Sequence, residues 1–266
     1  MTTLKSLQQD WEWLGENDPL WAVCTDPSRS DRRWNQQEFF ATGEAEVNTV
    51  LDLLQSLGYT PSRKERALDF GCGAGRLTRA LSLHFDQCCG IDISFSMIAA
   101  AKRLNHDRTN CQFLVNRSEK LVDQPDRSYG FIYSSIVLQH LRPRLVISYL
   151  QEFARLLSGG GVLVFQMPSH RNAFLGQLRS ALHLKSRIRR LRQAVGQIDS
   201  DPRSKMEMNC LRAGPIHQVL NSSGCEVADV RLTNSCDPGF NGNLRYLEAE
   251  PISSYVSKQY VALKVG

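Results

Sequence analysis

The chain has 266 residues, 42% hydrophobic and 22% charged, the ordinary composition of a globular protein long enough for one large domain. No apolar run is long enough to span a bilayer, and Met1–Asp10 lacks the apolar core of a secretory signal, so the chain reads as cytoplasmic. The net charge of +5 is uneven: residues 170–205 carry nine lysines and arginines against two aspartates, which leaves the remainder slightly acidic. Eight cysteines form no C-x-x-C pair and no cluster with zinc spacing; no metal site is expected, and the thiols read as reduced structural groups.

Residues 1–43 hold all four tryptophans, Trp11, Trp13, Trp21 and Trp34, joined by Phe39 and Phe40. A helical stripe follows (Val47, Val50, Leu51, Leu54, Leu57) and stops at Gly58. Strands and helices then alternate. Ala67–Phe70, Cys88–Ile93, Cys111–Val115, Gly130–Ser135 and Val162–Met167 read as strands. Between them lie a helix through Leu77 to Phe85, one capped by Ser94, and one opened by Pro143 that runs to Leu157 and stops at Ser158-Gly159-Gly160-Gly161. Residues 172–195 form a basic amphipathic pattern, followed by a polar loop to 205. Pro215–Asn221 is a helix closed by Gly224, and Glu226–Leu232 and Val256–Val265 are strands around a Gly/Asn-rich loop. The alternation predicts a mostly parallel sheet with helices on both faces.

The most informative segment is Asp69-Phe70-Gly71-Cys72-Gly73-Ala74-Gly75-Arg76, placed between a strand and a helix. Gly71, Gly73 and Gly75 allow a tight turn and close approach of a ligand, and the N–H groups of the following helix start favour an anionic group. Asp92 stands seventeen residues after Gly75, at the end of the second strand, where a carboxylate can accept from two ribose hydroxyls. The dinucleotide fingerprint G-x-G-x-x-G does not fit, because Arg76 occupies its third glycine position.

The spacing G-x-G-x-G, with Asp69 two residues before it, resembles motif I of the class I S-adenosylmethionine-dependent methyltransferases. Gly90-Ile91-Asp92-Ile93-Ser94 with Met97, Ser128 to Ser135, Val137-Leu138-Gln139-His140-Leu141 and Gly159-Gly160-Gly161-Val162-Leu163 resemble later segments of the small-molecule branch of that family, in the same order. The likeness spans roughly residues 64–168 and implies a Rossmann-like, seven-stranded sheet that binds S-adenosylmethionine and releases S-adenosylhomocysteine. It implies a single domain: an N-terminal arm over 1–60, a cofactor core over 64–168, a helical lid over 169–205, and the end of the sheet over 206–266. It also implies cofactor contacts from Asp69, near the methionine amino group, and from Gly71, Cys72, Gly73, Gly75, Asp92, Ile93, Met97, Asn116, Arg117, Ser118 and Ser135. Two positions depart from the common pattern: Asn116-Arg117-Ser118-Glu119 stands where many relatives carry Asp, and Gly130 does likewise.

Methyl transfer needs an acceptor held in line and water kept out; a base is needed only if the acceptor loses a proton. His140, after the fourth strand, is the candidate base. Trp34, Phe39, Phe40 and Gly43 resemble the cofactor-covering arm of related enzymes, whereas for Trp11 and Trp13 a place in that cover and packing within an N-terminal helix are equally open. Lys185, Arg189 and Arg192 share one helical face and suit an anionic acceptor. An RNA methyltransferase and a non-catalytic S-adenosylmethionine-binding protein are the competing readings. The Asp/Asn-Pro-Pro-aromatic motif of amino-methylating nucleic-acid enzymes is replaced by Ser134-Ser135-Ile136-Val137, which disfavours nucleic acid. Oligomeric state is not legible.

Overall fold

A computed structural model describes residues 4–62, 64–172, 207–237, 240–251 and 255–266. Lys185, Arg189 and Arg192, and the helix expected over 172–195, lie outside the described residues from 173 onward.

The N-terminal part is helical: α1 (Leu4–Asn17), α2 (Pro19–Val23) and α3 (Gln36–Ser56). Asn35 starts α3 by accepting from the N–H groups of Gln37 and Glu38, and Gly58, at φ +81°, ends it. The alternating unit follows: β1 (Arg66–Phe70), α4 (Arg76–Leu81), β2 (Gln87–Asp92), α5 (Phe95–Leu104), β3 (Cys111–Val115), β4 (Tyr129–Ser134), α6 (Pro143–Leu156) and β5 (Leu157–Arg171). The described C-terminal part adds α7 (Ala213–Ser222), β6 (Cys225–Thr233), β7 (Tyr246–Leu247) and β8 (Tyr255–Lys264).

The strands form one sheet of eight, in the order β3-β2-β1-β4-β5-β8-β6-β7. Strands β1 to β5 pair parallel; β8 inserts antiparallel between β5 and β6. The expected seventh strand is present, and the additional one is the two-residue β7 on the edge. Strand order reverses between β1 and β4, and such a switch opens a crevice at the carboxyl ends of the strands.

Strand β5 is longer than the sequence suggests. Ser158-Gly159-Gly160-Gly161 lies inside it, where Gly160 at φ +76° carries a break in register between Tyr129 and Phe131 of β4. The strand also continues past Pro168 to Arg171, so residues 169–171 belong to the sheet.

Side chains alternate across the sheet. Leu68, Phe70, Ile132, Leu163 and Phe165 pack on α6 and α7, while Ala67, Phe131, Tyr133, Val162 and Val164 pack on α3 and α4. On the second side a buried polar group ties three elements together. Glu46 of α3 accepts from Arg76 Nη2 of α4 at 2.6 Å and from the Tyr133 hydroxyl of β4 at 2.8 Å. All three are at most 1% exposed. Gly43 lets α3 lie against α4, since a Cβ there would come within 2.6 Å of the Arg76 carbonyl. Glu46→Ala leaves the Arg76 charge unpaired in the interior and should cost about 3–5 kcal/mol of stability. Tyr133→Phe should cost about 1 kcal/mol. Urea unfolding followed by circular dichroism checks both, and equal losses would contradict the ion pair as the dominant contact.

Candidate active site

A cavity of about 270 Å³ opens at the carboxyl ends of the central strands. Its floor is the turn after β1. The N–H groups of Gly71 and Cys72 both donate to the Ile91 carbonyl, at 2.7 and 3.0 Å, which binds the turn to β2. Gly71 has φ +77°, and a Cβ there would lie 2.3 Å from the Val137 side chain. Gly73, at φ +50°, has Val23 equally close. Both line the cavity with Cys72. Gly75 does not; it starts α4 at φ +84° and makes room for Asn105 and Phe113.

Asp92 lines the cavity with its carboxylate fixed by backbone: Gly73 N–H donates to Oδ2 and Ser94 N–H to Oδ1, each at 2.9 Å. Burial pushes its carboxyl up, opposed by these N–H groups. Ile93 and Asn116 stand beside it on the wall, and the Asn116 N–H donates to the Asp92 carbonyl at 2.8 Å. Ser135 completes this side. Ile136 holds φ +53°, a strained conformation for a β-branched residue, and Val137 beyond it packs on Gly71.

Besides Gly75, four expected cofactor contacts are placed elsewhere. Asp69 alternates to the opposite side of β1, where it accepts from the Thr78 hydroxyl at 2.7 Å; burial pushes its carboxyl up to about 7. Met97 is buried beneath α1 with Leu14 and Ala22. Arg117 and Ser118 are exposed beyond the wall, and the Ser118 carbonyl accepts from Tyr149.

The aromatic cover also differs from expectation. Phe39 and Phe40 are buried with Cys24 and Ala74 behind the glycine turn, and Trp34 donates its indole N–H to the Cys24 carbonyl at 3.0 Å. None of the three lines the cavity. The cover comes from α1, through Leu4, Leu7 and Trp11, and from Phe240 after β6. Leu4, Leu7 and Trp11 are spaced three and four apart, a helical stripe that sequence reasoning could have followed into the site. Helix α1 is anchored by Glu12, whose carboxylate accepts from Phe95 and Ser96 N–H at 2.8 and 3.0 Å.

His140 lines the cavity at the end of a 3-10 turn, with Trp11 edge-on at 5.5 Å between ring centroids. Its Nδ1 lies 3.0 Å from the Glu207 carbonyl. Because a carbonyl only accepts, Nδ1 carries the proton and Nε2 the lone pair. Burial holds the ring below its ordinary value of 6.5, so it is neutral at neutral pH. Gln139, Met208, Cys236 and Asp237 also reach the cavity. Gln139 belongs to the segment likened to the family after the fourth strand; the other three come from loops whose approach depends on sheet order, and no local motif marks them.

Residues 68–165 match the family described as Methyltransferase domain. Magnesium protoporphyrin IX methyltransferase from Synechocystis PCC 6803, solved with S-adenosylhomocysteine, superposes with a TM-score of 0.61 at 15% identity, covering 98% of this chain and 100% of that one. Haemonchus contortus phosphoethanolamine N-methyltransferase 1, in complex with phosphoethanolamine and S-adenosylhomocysteine, gives 0.60 at 14% identity over 100% of this chain and 50% of that one. A S-adenosylmethionine-dependent methyltransferase of Methanosarcina mazei gives 0.52 at 19% identity, covering 78% of this chain and 95% of that one. At these identities the likeness is one of fold. Residues 68–165 are therefore a methyltransferase domain, and the chain as a whole shares the fold of these S-adenosylmethionine-dependent methyltransferases.

Proposed function

We propose that the protein moves a methyl group from S-adenosylmethionine to a small-molecule acceptor seated against His140. The observation that carries this reading is that the glycine turn, Asp92 and a neutral histidine line one cavity. The residues fit the donor. Gly71 and Gly73 put no side chain into the cavity. Asp92 has one backbone bond on each oxygen and keeps lone pairs for hydroxyl groups. When bound, S-adenosylmethionine supplies an electrophilic methyl on a sulfonium and leaves as S-adenosylhomocysteine.

The chain's own residues do the rest. Asp92, Ile93 and Asn116 hold the nucleoside end, and the backbone at Gly71 to Gly73 takes the amino-acid end. Leu4, Leu7 and Trp11 exclude water from the acceptor side. His140 Nε2 takes the proton that a hydroxyl, thiol or ammonium acceptor must lose.

Among the described wall residues the single cation is Arg76, already paired with Glu46, while Asp92 and Asp237 are acidic. These walls favour a neutral or cationic acceptor with an apolar body; an anionic one would depend on Lys185, Arg189 and Arg192. A cavity of about 270 Å³ supports a small molecule over nucleic acid, as do the two neighbours named for small-molecule substrates. All eight cysteines are free, which supports a reducing, cytoplasmic setting. Among the described residues no helix is long and apolar enough to cross a membrane.

Two variants test the assignment. Asp92→Ala should weaken binding of S-adenosylhomocysteine by roughly ten- to a hundred-fold in calorimetry, with no NAD binding in either form. Unchanged affinity in the folded variant would refute the donor site. Acceptor classes are then screened for S-adenosylhomocysteine release. With the best acceptor, His140→Ala should lower turnover about a hundred-fold or more while leaving donor affinity near normal. A base works when deprotonated, so wild-type turnover should hold down to pH 6.5 and fall below it, as the buried ring at last takes a proton. A few-fold loss of turnover, or the same acidic limb in the variant, returns His140 to a packing role.

A further inference from the structure

A row of polar side chains runs from the interior of the sheet to His140. Thr233 Oγ1 donates to Ser257 Oγ at 2.8 Å, and Ser257 Oγ accepts from Gln166 Nε2 at 2.7 Å. Gln166 Nε2 also donates to Gln139 Oε1 at 3.3 Å, and Cys236 Sγ donates to the same oxygen at 3.6 Å. With two donors on its oxygen, the Gln139 amide turns its Nε2 toward His140 Nε2, 3.3 Å away. The Gln139 backbone is fixed too, because its carbonyl accepts from Asn209 N–H at 2.7 Å.

The direction of each bond matters. An amide has similar shape at its two ends but opposite hydrogen-bonding character. If Gln139 turned over, its oxygen would face the Nε2 lone pair, two acceptors in contact. Nδ1 already holds a proton against the Glu207 carbonyl, so only a second proton on the ring relieves that clash. The imidazolium would then be favoured and the base lost. Gln166, 1% exposed, opposes this turn by aiming its donor at Gln139 Oε1. Its own Oε1 is buried without a partner among the described residues, an orientation that folding alone does not reward.

We propose that Gln166, acting through Gln139, is a positioning residue that keeps His140 Nε2 as a hydrogen-bond acceptor open to the acceptor molecule. This rests on the reading of His140 as the base. The contact on Nε2 is long for a hydrogen bond and from a neutral amide, so an incoming hydroxyl or ammonium donor displaces it readily. The ionisable groups on the described walls around His140 are Asp92, Asp237, Cys72, Cys236, Tyr149 and Arg76. From α1 the ring meets Trp11, which does not ionise, and from residue 207 it meets a backbone carbonyl.

The test uses the full chain with ¹⁵N-labelled histidine. In the wild type, the His140 nitrogens should report a neutral ring protonated on Nδ1, titrating below pH 6.5. Gln166→Met removes the donor without adding charge, and the His140 midpoint should rise by about one pH unit. The acidic limb of the turnover profile should rise with it, while the Michaelis constant for S-adenosylmethionine stays unchanged. Cys236→Ala removes the second donor to Gln139 and should move the midpoint the same way by less, which keeps the test available if Gln166→Met does not fold. An unchanged midpoint in a folded variant overturns the positioning role and leaves the base reading to His140→Ala. A midpoint that moves without the kinetic limb upholds the positioning role and overturns the base role.

Discussion

Two backbone N–H groups, those of Gly71 and Cys72, converge on one carbonyl, that of Ile91. The chain must therefore turn sharply as soon as β1 ends, while still bound to its neighbour. Left-handed backbone at 71, 73 and 75 meets that demand, and each side chain omitted there is replaced by a neighbour: Val137, Val23, and the pair Asn105 and Phe113. The turn thus brings the loop after β4, the end of α2 and the end of α5 to one point. Asp92 enters the same arrangement because Gly73 N–H points at it. The glycine turn and the loop that carries His140 share the contact between Gly71 and Val137.

Arg76 shows how the fold treats a charge next to that turn. A cation on the wall would compete for any carboxylate nearby. Here it is drawn away by Glu46 and Thr42 of α3, and the ion pair receives a further hydrogen bond from Tyr133. A buried pair of this kind adds little net stability over an apolar packing, but it permits few alternative positions for α3. Its place in the structure is to hold the arm in register with the sheet, which in turn holds Phe39, Phe40 and Cys24 behind Ala74.

What was legible in the sequence follows the range of the forces involved. Local demands left local marks: the glycine spacing, Ser94 as a cap that accepts from Met97 N–H, and Asp92 at a strand end. Alternation along β1 also held the information that Asp69 faces away from Phe70, toward α4, although the likeness to relatives suggested a cofactor contact. The aromatic content of the first 43 residues revealed an arm but not which face it turns to the cavity. That depends on Glu12 meeting the N-terminus of α5, more than eighty positions away in the chain. The run of glycines at 159–161 resembled a stop, yet parallel pairing with β4 carries the strand through it. Gln166 and Cys236 are unremarkable in sequence, and their partnership with Gln139 exists only once β5, β8 and the loop after β6 have come together.

Residues 92–96 serve two masters. Asp92 faces the cavity and holds Ser94 N–H, and the next two N–H groups, of Phe95 and Ser96, are taken by Glu12 of the covering helix. Four consecutive peptide units therefore connect the Asp92 carboxylate to the anchor of the cover. Thermodynamic linkage makes any such connection work in both directions: a ligand that orders this short backbone stretch favours docking of α1, and docking favours the ligand to the same extent. The helix that roofs the cavity is in that sense a second ligand of the Asp92 site, tethered to it by the chain, and Glu12 joins the packing of Leu14 on Met97 in holding it.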